Sequence, residues 1–362
     1  MKKKVIFRCD AGHAPEIGTG HIARSKTLAN SLVDNGFLHN NDIIFYTRDD
    51  PDYDLGEKYL RDSGFKYHVF PRNELKANSN SELEILTNSN ARMIFMDRLE
   101  TSDRLVKSLL FSDKKIVTFD DYGSGRVHAD LAISAIFDDI DESPNLVKGY
   151  EYLVLSNKAY RPKPIRKRIK KIVATFGGFD ARDLCGFFLQ NSSGISSSCS
   201  VDIVLGRCED SALKSYYQFI ESNKSKDRFK IHVLPTNYHE IIANADLAIT
   251  SGGLSIFEFS AYGIPSIGLP QYEHQLRTIE NLSGAGISLL GSNGMNLSRE
   301  RFMDCQDTIM QDFNLRQSMA LKARRSIDGG GVERIMALLK NKFPDNFYDS
   351  KNNTVWLPSN IN

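Results

Sequence analysis

Two glycines and a histidine lie close together near the start of the chain, in the segment Gly18-Thr19-Gly20-His21. Glycine lets the backbone turn tightly and approach a ligand closely. The N–H groups at the start of a following helix favour a phosphate or a developing anion. An imidazole, with a reference pKa of about 6.5, can accept a proton near neutral pH. We therefore expect His21 to act as a general base, with Asp10 orienting it or the substrate.

Two other interpretations of this segment stay open. Residues 18–23 match GxGxxA, the dinucleotide-binding fingerprint, but that fingerprint needs glycine directly after the strand. Here eight residues separate Gly18 from Cys9, the predicted end of the first strand. The other interpretation is purely structural, in which the glycines form a turn and His21 caps a helix.

Two glycine pairs in the second half also follow predicted strands. Gly177-Gly178 comes shortly before Asp180, and Ser251-Gly252-Gly253 begins another loop. Small residues at the junction of a strand and a helix let backbone N–H groups approach phosphates. Both loops are therefore candidate phosphate sites.

The residues after the second glycine pair have two possible roles. Ser255 and Glu258 have the spacing of a capping box. Glu258 could instead accept hydrogen bonds from both hydroxyls of a ribose. After the next strand, His274 and Gln275 belong either to a ligand site or to an ordinary polar loop.

The elements that must position these residues alternate along the chain. Short β-branched runs are separated by amphipathic stretches such as 21–34 and 256–262, which predicts parallel sheets with helices on both faces. Ligands bind beyond the carboxyl ends of such strands, so the chemistry is expected on the loops that follow them. The predicted strands are 4–9, 42–46, 66–70, 92–96, 115–119, 130–134, 170–176, 201–205, 229–234, 246–250, 265–269 and 287–290.

A proline-containing basic segment, residues 160–171, divides the chain into two halves. Proline breaks both helix and strand, and seven of residues 161–171 are basic. The run could contact phosphate or nucleic acid, but it contains no interleaved aromatic residue, which favours a solvated linker. We predict an N-terminal Rossmann-like domain (1–157), a C-terminal Rossmann-like domain (158–340) and a polar tail (341–362).

Composition excludes several classes of protein. The 362 residues include 46 Lys plus Arg and 45 Asp plus Glu, so no global field favours nucleic acid or an anionic membrane. No apolar run approaches the roughly 18 residues of a membrane span. The five scattered cysteines form no CxxC, which argues against zinc and a disulfide framework and fits a reducing cytoplasm. The sequence predicts no metal site and no cofactor, and it gives no signal for an oligomeric state.

The motif Arg8-x-Asp10-x-Gly12, followed by Ile17-Gly18-x-Gly20-His21-x-x-Arg24, resembles the signature of the UDP-sugar hydrolase of pseudaminic acid biosynthesis. Related spore-coat polysaccharide proteins carry it too, and the resemblance extends over residues 4–337. Five further motifs occur in the family's order: Asp120-Asp121, Gly149-Tyr150-Glu151-Tyr152, Gly177-Gly178-x-Asp180, Gly252-Gly253-x-Ser255-x-x-Glu258 and Ile327-Asp328-Gly329-x-Gly331.

The resemblance implies the GT-B architecture of two Rossmann-like domains, similar to the transferase that adds N-acetylglucosamine to lipid-linked muramyl peptide. It implies metal-independent hydrolysis of a UDP-linked diacetamido-trideoxyhexose to UDP and free sugar, with His21 as the base and Glu258 on the uridine ribose. The residues expected to bind substrate are Arg8, Gly18, Gly20, Arg24, Gly177, Gly178, Asp180, Ser251, Gly252, Gly253, Ser255, Glu258, His274 and Gln275.

The chain departs from the family pattern at three points. Residues 13–16 make the first motif two residues longer, no proline follows Asp180, and His274 replaces an asparagine. A longer loop beside the reacting sugar could admit a sugar or lipid hydroxyl in place of water. A GT-B glycosyltransferase and a non-catalytic nucleotide-sugar-binding protein are therefore the alternatives to the hydrolase.

Overall fold

The computed structural model describes residues 4–12, 18–71, 74–136, 142–156, 160–222 and 226–348. The longer stretch at residues 13–16, the predicted boundary at 157/158 and most of the polar tail lie outside the described residues.

The first lobe contains a seven-stranded parallel sheet in the order β3-β2-β1-β4-β5-β6-β7. Its elements are β1 (Val5–Cys9), α1 (Gly20–Asp34), β2 (Ile43–Asp49), α2 (Leu55–Leu60), β3 (Lys66–Pro71), α3 (Asn80–Asn88), β4 (Met93–Asp97), α4 (Asp103–Phe111), β5 (Lys115–Phe119), β6 (Leu131–Ser134) and β7 (Leu146–Lys148).

The second lobe contains a six-stranded parallel sheet in the order β10-β9-β8-β11-β12-β13. Its elements are β8 (Lys171–Thr175), α5 (Leu184–Gln190), β9 (Ser200–Leu205), α6 (Asp210–Ser222), β10 (Phe229–Val233), α7 (Tyr238–Ala243), β11 (Leu247–Thr250), α8 (Leu254–Tyr262), β12 (Ser266–Gly268), α9 (Glu273–Gly284), β13 (Ser288–Leu290), α10 (Arg299–Gln311) and α11 (Phe313–Ser326).

Both faces of each sheet are covered, as parallel strands require. In β1, Val5 and Phe7 enter one apolar cluster and Ile6 enters the cluster on the other face. The ring of Phe7 stacks between those of Phe45 and Phe95, with centroid distances of 5.1 and 4.5 Å. Successive side chains of a strand point to opposite faces of the sheet. A continuous apolar run such as β1 is therefore buried on both faces, as in the middle of the sheet.

The last helix, α12 (Gly331–Lys342), packs against the first lobe although it follows the second lobe in sequence. Ile335 and Leu339 are fully buried in the same cluster as Val5 and Phe7. A separate cluster joins the lobes and combines Leu153 and Leu155 with Phe257 and other residues of the second lobe. The chain therefore connects the two lobes at several points.

All twelve predicted strands form, and β2 extends three residues further than predicted. One strand, β7, was not predicted from the sequence; it has three residues. Residues 129–134 (ADLAIS) and 245–250 (ADLAIT) nearly repeat each other, which predicts from sequence that equivalent strands end the two halves. This prediction is wrong, because β11 lies beside the central β8, whereas β6 is next to an edge. The match reflects only that both segments are buried strands. Within the described residues, no helix has the length and apolar composition needed to cross a bilayer.

Candidate functional site

The sheet order brings the first candidate residues together. β1 lies between β2 and β4 in the sheet. The chain passes from β1 to β2 and β3 on one side, and then crosses to β4 on the other side of β1. Cys9 of β1 pairs with Asp97 of β4, at the carboxyl ends of both strands. Such a switch point leaves a crevice in which ligands bind. His21, in the first turn of α1, lies over this crevice.

Asp97 holds the ring of His21. Its Oδ1 lies 2.7 Å from His21 Nδ1, and it accepts further hydrogen bonds from Arg24 and Ser25, at 2.6 to 3.0 Å. Burial disfavours the charged carboxylate, but the charge of Arg24 and the hydrogen bond from His21 outweigh burial and lower the pKa of Asp97 to about 2. Asp97 is therefore ionised at neutral pH.

An ionised carboxylate can only accept hydrogen bonds. The His21 Nδ1 consequently carries a proton, and in the neutral ring the lone pair is on Nε2. Nε2 has no hydrogen-bond partner among the described residues, and His21 lines the cavity between the lobes. This is the arrangement of a general base. The carboxylate in contact with the His21 ring is Asp97. Asp10, which was expected from sequence to orient His21 or the substrate, pairs with Arg8 instead.

Arg24 joins Asp97 to a second carboxylate. It also pairs with Asp120, whose backbone is in the left-handed region with a φ of 45°. The other oxygen of Asp120 accepts the N–H groups of Ala135 and Ile136, at 2.7 and 3.0 Å. Because Arg24 is held from both sides, its guanidinium fixes the position of Asp97.

The second lobe has the same switch-point geometry. Thr175 of β8 pairs with Thr250 of β11. The loops that follow both strands line the cavity, and they contain the two glycine pairs. Helix α8 begins at Leu254 with Gly253 as its N-cap. Its N-terminus lines the cavity, and the N–H groups at a helix start favour an anion.

Glu258 is buried one turn into α8 and lines the same cavity. Ser156 donates to it at 2.5 Å and Tyr238 at 3.0 Å. The hydroxyl of Tyr238 also lies 3.1 Å from Ser255 Oγ. Ser255 and Glu258 do not form a capping box, because the N-cap of α8 is Gly253, which makes no side-chain capping hydrogen bond. Burial raises the pKa of Glu258, and the hydrogen bonds from Ser156 and Tyr238 oppose that rise.

His274 lies in the first turn of α9 and faces the cavity from the second lobe. Its ring stacks on Tyr272 with a centroid distance of 5.6 Å. Burial, and then the nearby His21, lower its pKa to about 4. His274 is therefore uncharged at neutral pH. Gln275 accepts the N–H of Gln271 at 3.1 Å, which fixes the loop before α9.

The cavity between the lobes has a volume of about 510 Å³. All the substrate-binding and catalytic residues expected from sequence line it except Arg8, Asp10 and Asp180. The chain therefore brings thirteen of the sixteen expected residues around one space: Gly18, Gly20, His21, Arg24, Gly177, Gly178, Ser251, Gly252, Gly253, Ser255, Glu258, His274 and Gln275.

Arg8 and Asp10 form a buried ionic network behind the cavity. Arg8 is fully buried and contacts Asp10 and Glu82, each at 2.7 Å. Glu82 also pairs with Arg98 at 2.7 Å, and Asp10 accepts the N–H of Arg48 at 3.1 Å. Arg98 directly follows Asp97 in the chain. In this structure the network supports the segment that carries Asp97.

Asp180 also does not line the cavity. Its two carboxylate oxygens accept the N–H groups of Leu184 and Cys185, at 2.9 and 2.8 Å, at the start of α5. Burial raises its pKa. The residue therefore stabilises the loop that follows Gly177-Gly178.

Sequence reasoning missed Asp97, Ser156 and Tyr238. Asp97 could have been noticed as a carboxylate directly after the fourth predicted strand. Its contact with His21, however, depends on β4 lying beside β1 in the sheet, which the sequence does not show. Within the described residues, no group of three His, Cys, Asp or Glu side chains is arranged to hold a metal ion.

No protein-family model matches the chain. Two curated relatives do. MJ1062, an uncharacterized protein of Methanocaldococcus jannaschii, is 28% identical over 280 residues, which are 72% of this chain and 54% of that protein. The match therefore spans about half the length of MJ1062. The spore coat polysaccharide biosynthesis protein SpsG of Bacillus subtilis is 26% identical over 347 residues, 92% of this chain and 97% of SpsG. The expected similarity to spore-coat polysaccharide proteins is thus confirmed, and the similarity to the pseudaminic acid hydrolase stays a prediction.

Solved structures resemble the whole chain. MurG of Acinetobacter baumannii has a TM-score of 0.66 at 15% identity and covers 93% of this chain and 99% of its own. CalG4, the calicheamicin glycosyltransferase, has a TM-score of 0.61 at 12% identity, covering 95% and 99%. Anabaena HepE in complex with UDP has a TM-score of 0.58 at 12% identity, covering 94% and 100%. These likenesses concern the fold, and they confirm two parallel-sheet α/β domains of the GT-B type.

Proposed function

We propose that this protein binds a UDP-linked sugar between its lobes and hydrolyses it to UDP and free sugar, in the synthesis of a surface polysaccharide or a nonulosonic acid. One observation carries the proposal: the His21–Asp97 pair of the first lobe and Glu258 with the N-terminus of α8 in the second lobe line a single cavity. The names of SpsG and of the UDP complex of HepE support a nucleotide-sugar substrate.

The second lobe would hold the nucleotide. The carboxylate of Glu258 is buried, and its two oxygens retain lone pairs that can accept ribose hydroxyls. The diphosphate would lie along Ser251, Gly252, Gly253 and the first turn of α8. Backbone N–H groups there would stabilise the charge on the leaving diphosphate.

The first lobe would supply the base. His21 Nε2 takes a proton from water as the water oxygen bonds to the anomeric carbon. The bond from that carbon to the diphosphate oxygen breaks, and UDP leaves with the electron pair. General-base assistance of this kind contributes about 10²–10⁴-fold to the rate. Asp97 stabilises the imidazolium that forms.

The test is a screen of UDP-sugars, with CMP-sugars as the comparison, in which UDP release and the freed hexose are both measured. UDP-linked diacetamido-trideoxyhexoses belong in the panel because of the resemblance to the pseudaminic acid hydrolase. The proposal expects equimolar UDP and free sugar without any added acceptor. Release of UDP only when an acceptor is present would refute hydrolysis.

A glycosyltransferase is the second candidate. The likeness to CalG4, named a glycosyltransferase, favours it. The first-lobe wall also contains the apolar side chains of Leu99 and Ile136, on which an acceptor could rest. In this case His21 would take the proton of an acceptor hydroxyl. The same screen of UDP-sugars, repeated with added sugar or lipid acceptors, distinguishes the two reactions.

A further inference from the structure

The two lobes touch directly at the rim of the cavity, two residues from the proposed base. A Cβ added to Gly178, in the loop after β8, would overlap the hydroxyl of Thr19 and lie 3.0 Å from its Cγ2. The three atoms nearest to that position all belong to Thr19. The Thr19 side chain therefore rests on the bare α-carbon of Gly178.

Thr19 is free for this contact because it does not cap its helix. It is the N-cap of α1, yet its side chain accepts no capping hydrogen bond from the helix. Threonine at this position commonly makes such a bond. The two lobes also approach each other at Gly20. A Cβ added to Gly20 would lie 3.9 Å from Cδ1 of Leu254, the first residue of α8. The N-termini of α1 and α8 therefore meet across the cavity.

Gly178 cannot retreat from this contact. Its carbonyl accepts the N–H of Arg207 at 2.8 Å. A Cβ on Gly206 would lie 2.6 Å from the α-carbon of Gly178. The loop is thus packed between Thr19 on one side and the end of β9 on the other.

We propose that the Thr19–Gly178 contact is the stop that sets the separation of the lobes, and that it places His21 at its working distance from the nucleotide. This inference rests on the proposed function, because it assumes that UDP binds to the second lobe and the base to the first. Binding of UDP beside Gly177-Gly178 then orders the first turn of α1. Thr19 is a positioning residue: it acts through His21 and through the glycine loop.

A pair of compensating substitutions tests the contact. Gly178→Ala adds a methyl group at the contact, and the backbone of Gly178 is not in the left-handed region, so Ala adds no backbone strain. We expect UDP release from the sugar identified in the screen to fall about 10–100-fold, as for a reacting group displaced by about 1 Å. Thr19→Ala removes the opposing atoms. The double variant should recover to within about threefold of Thr19→Ala alone, because the effects of two substitutions at residues in contact are coupled.

Hydrogen exchange with UDP as the ligand provides a readout that does not depend on turnover. In the wild-type protein and the double variant, UDP should slow amide exchange in the first turn of α1. In Thr19→Ile, which leaves the glycine loop of the second lobe unaltered, UDP should still bind, measured by calorimetry, but should leave that exchange unchanged. A Gly178→Ala protein that behaves as wild type overturns the proposal, and so does a double variant that is not rescued.

Two further controls keep the result decisive. If Gly178→Ala does not fold, Thr19→Ile enlarges the same contact from the first lobe and must give the same loss; an unaffected Thr19→Ile protein overturns the proposal. If the wild-type protein does not bind UDP at all, the proposed function itself fails. If wild-type protein binds and releases UDP while the substitutions have no effect, only the lobe stop fails.

Discussion

The proposed catalytic centre depends on how one carboxylate is held. Asp97 accepts hydrogen bonds from His21, Arg24 and Ser25 and remains ionised because Arg24 lies beside it. It fixes which ring nitrogen of His21 carries the proton. Without that carboxylate, both ring orientation and tautomer are lost, although the imidazole is still present.

Asp97→Asn should therefore reduce turnover strongly while leaving UDP affinity unchanged. The expected loss is most of the general-base contribution, roughly 10²–10⁴-fold. Ser25→Ala is the matched control, because it removes one hydrogen bond to the same carboxylate and leaves the His21 and Arg24 contacts. The measurement is UDP release against pH, and equal losses in the two variants would contradict the assigned role.

The lowered pKa of His274 should make the stability of the protein depend on pH. Burial lowers its pKa from 6.5 to about 4, so between these values the unfolded chain binds a proton that the folded chain does not. Stability therefore falls as the pH falls from about 6.5 to about 4, by up to roughly 3 kcal/mol for this group. Thermal unfolding of His274→Asn should show a smaller loss between pH 7 and pH 4.5 than the wild type. Parallel curves for the two proteins would exclude His274 as the cause.

At the level of elements, the signature residue Arg8 links three segments instead of lining the cavity. Arg8 of β1 and Arg98, directly after β4, both pair with Glu82 of α3, and all three side chains are buried. The position of Asp97 at the end of β4 depends on this arrangement.

Glu82→Gln should lower the free energy of unfolding by about 3–5 kcal/mol, because the buried guanidinium of Arg98 loses its charge partner and that of Arg8 keeps only Asp10. Glu84→Gln is the control, since Glu84 lies on the same helix and is exposed. Its expected effect is within about 0.5 kcal/mol. Chemical denaturation of both variants gives the comparison, and similar midpoints would show that the network contributes little.

The strands could be predicted from the sequence because β-branched runs such as 4–9 and 115–119 mark buried parallel strands locally. For the same reason, His21 and Glu258 could be placed in the first turns of helices that follow strands. Asp97 could not be assigned as the partner of His21, because the order β2-β1-β4 arises from packing between distant segments. The positions of Arg8 and Asp180 outside the cavity could not be predicted either, because a sequence motif does not show in which direction a charged side chain points.

At the scale of the whole molecule, the C-terminal helix ties the two lobes together. Sequence position assigns α12 to the second half, but its apolar face completes the core of the first lobe. Phe343 and Phe347 continue this packing, and the ring of Phe347 lies 5.9 Å from that of Phe37. The first lobe is therefore incomplete without residues more than 300 positions away.

Leu339→Ala should destabilise the first lobe by about 2–5 kcal/mol, because a fully buried leucine leaves a cavity. Leu338→Ala, at a partly buried position of the same helix, should cost less. Hydrogen exchange should show the loss in β1 and β2 and not in β8 and β9. Faster exchange confined to the second lobe would contradict this packing.

His21→Ala tests whether His21 is the base in a UDP-sugar reaction. The measurement is the rate of UDP release from the sugar found in the screen, together with calorimetric UDP affinity on the same preparation. We expect a rate lower by about 10²-fold or more, with a UDP affinity close to that of the wild type because Glu258 and the α8 N-terminus are intact. A wild-type rate in His21→Ala would show that His21 is not the base.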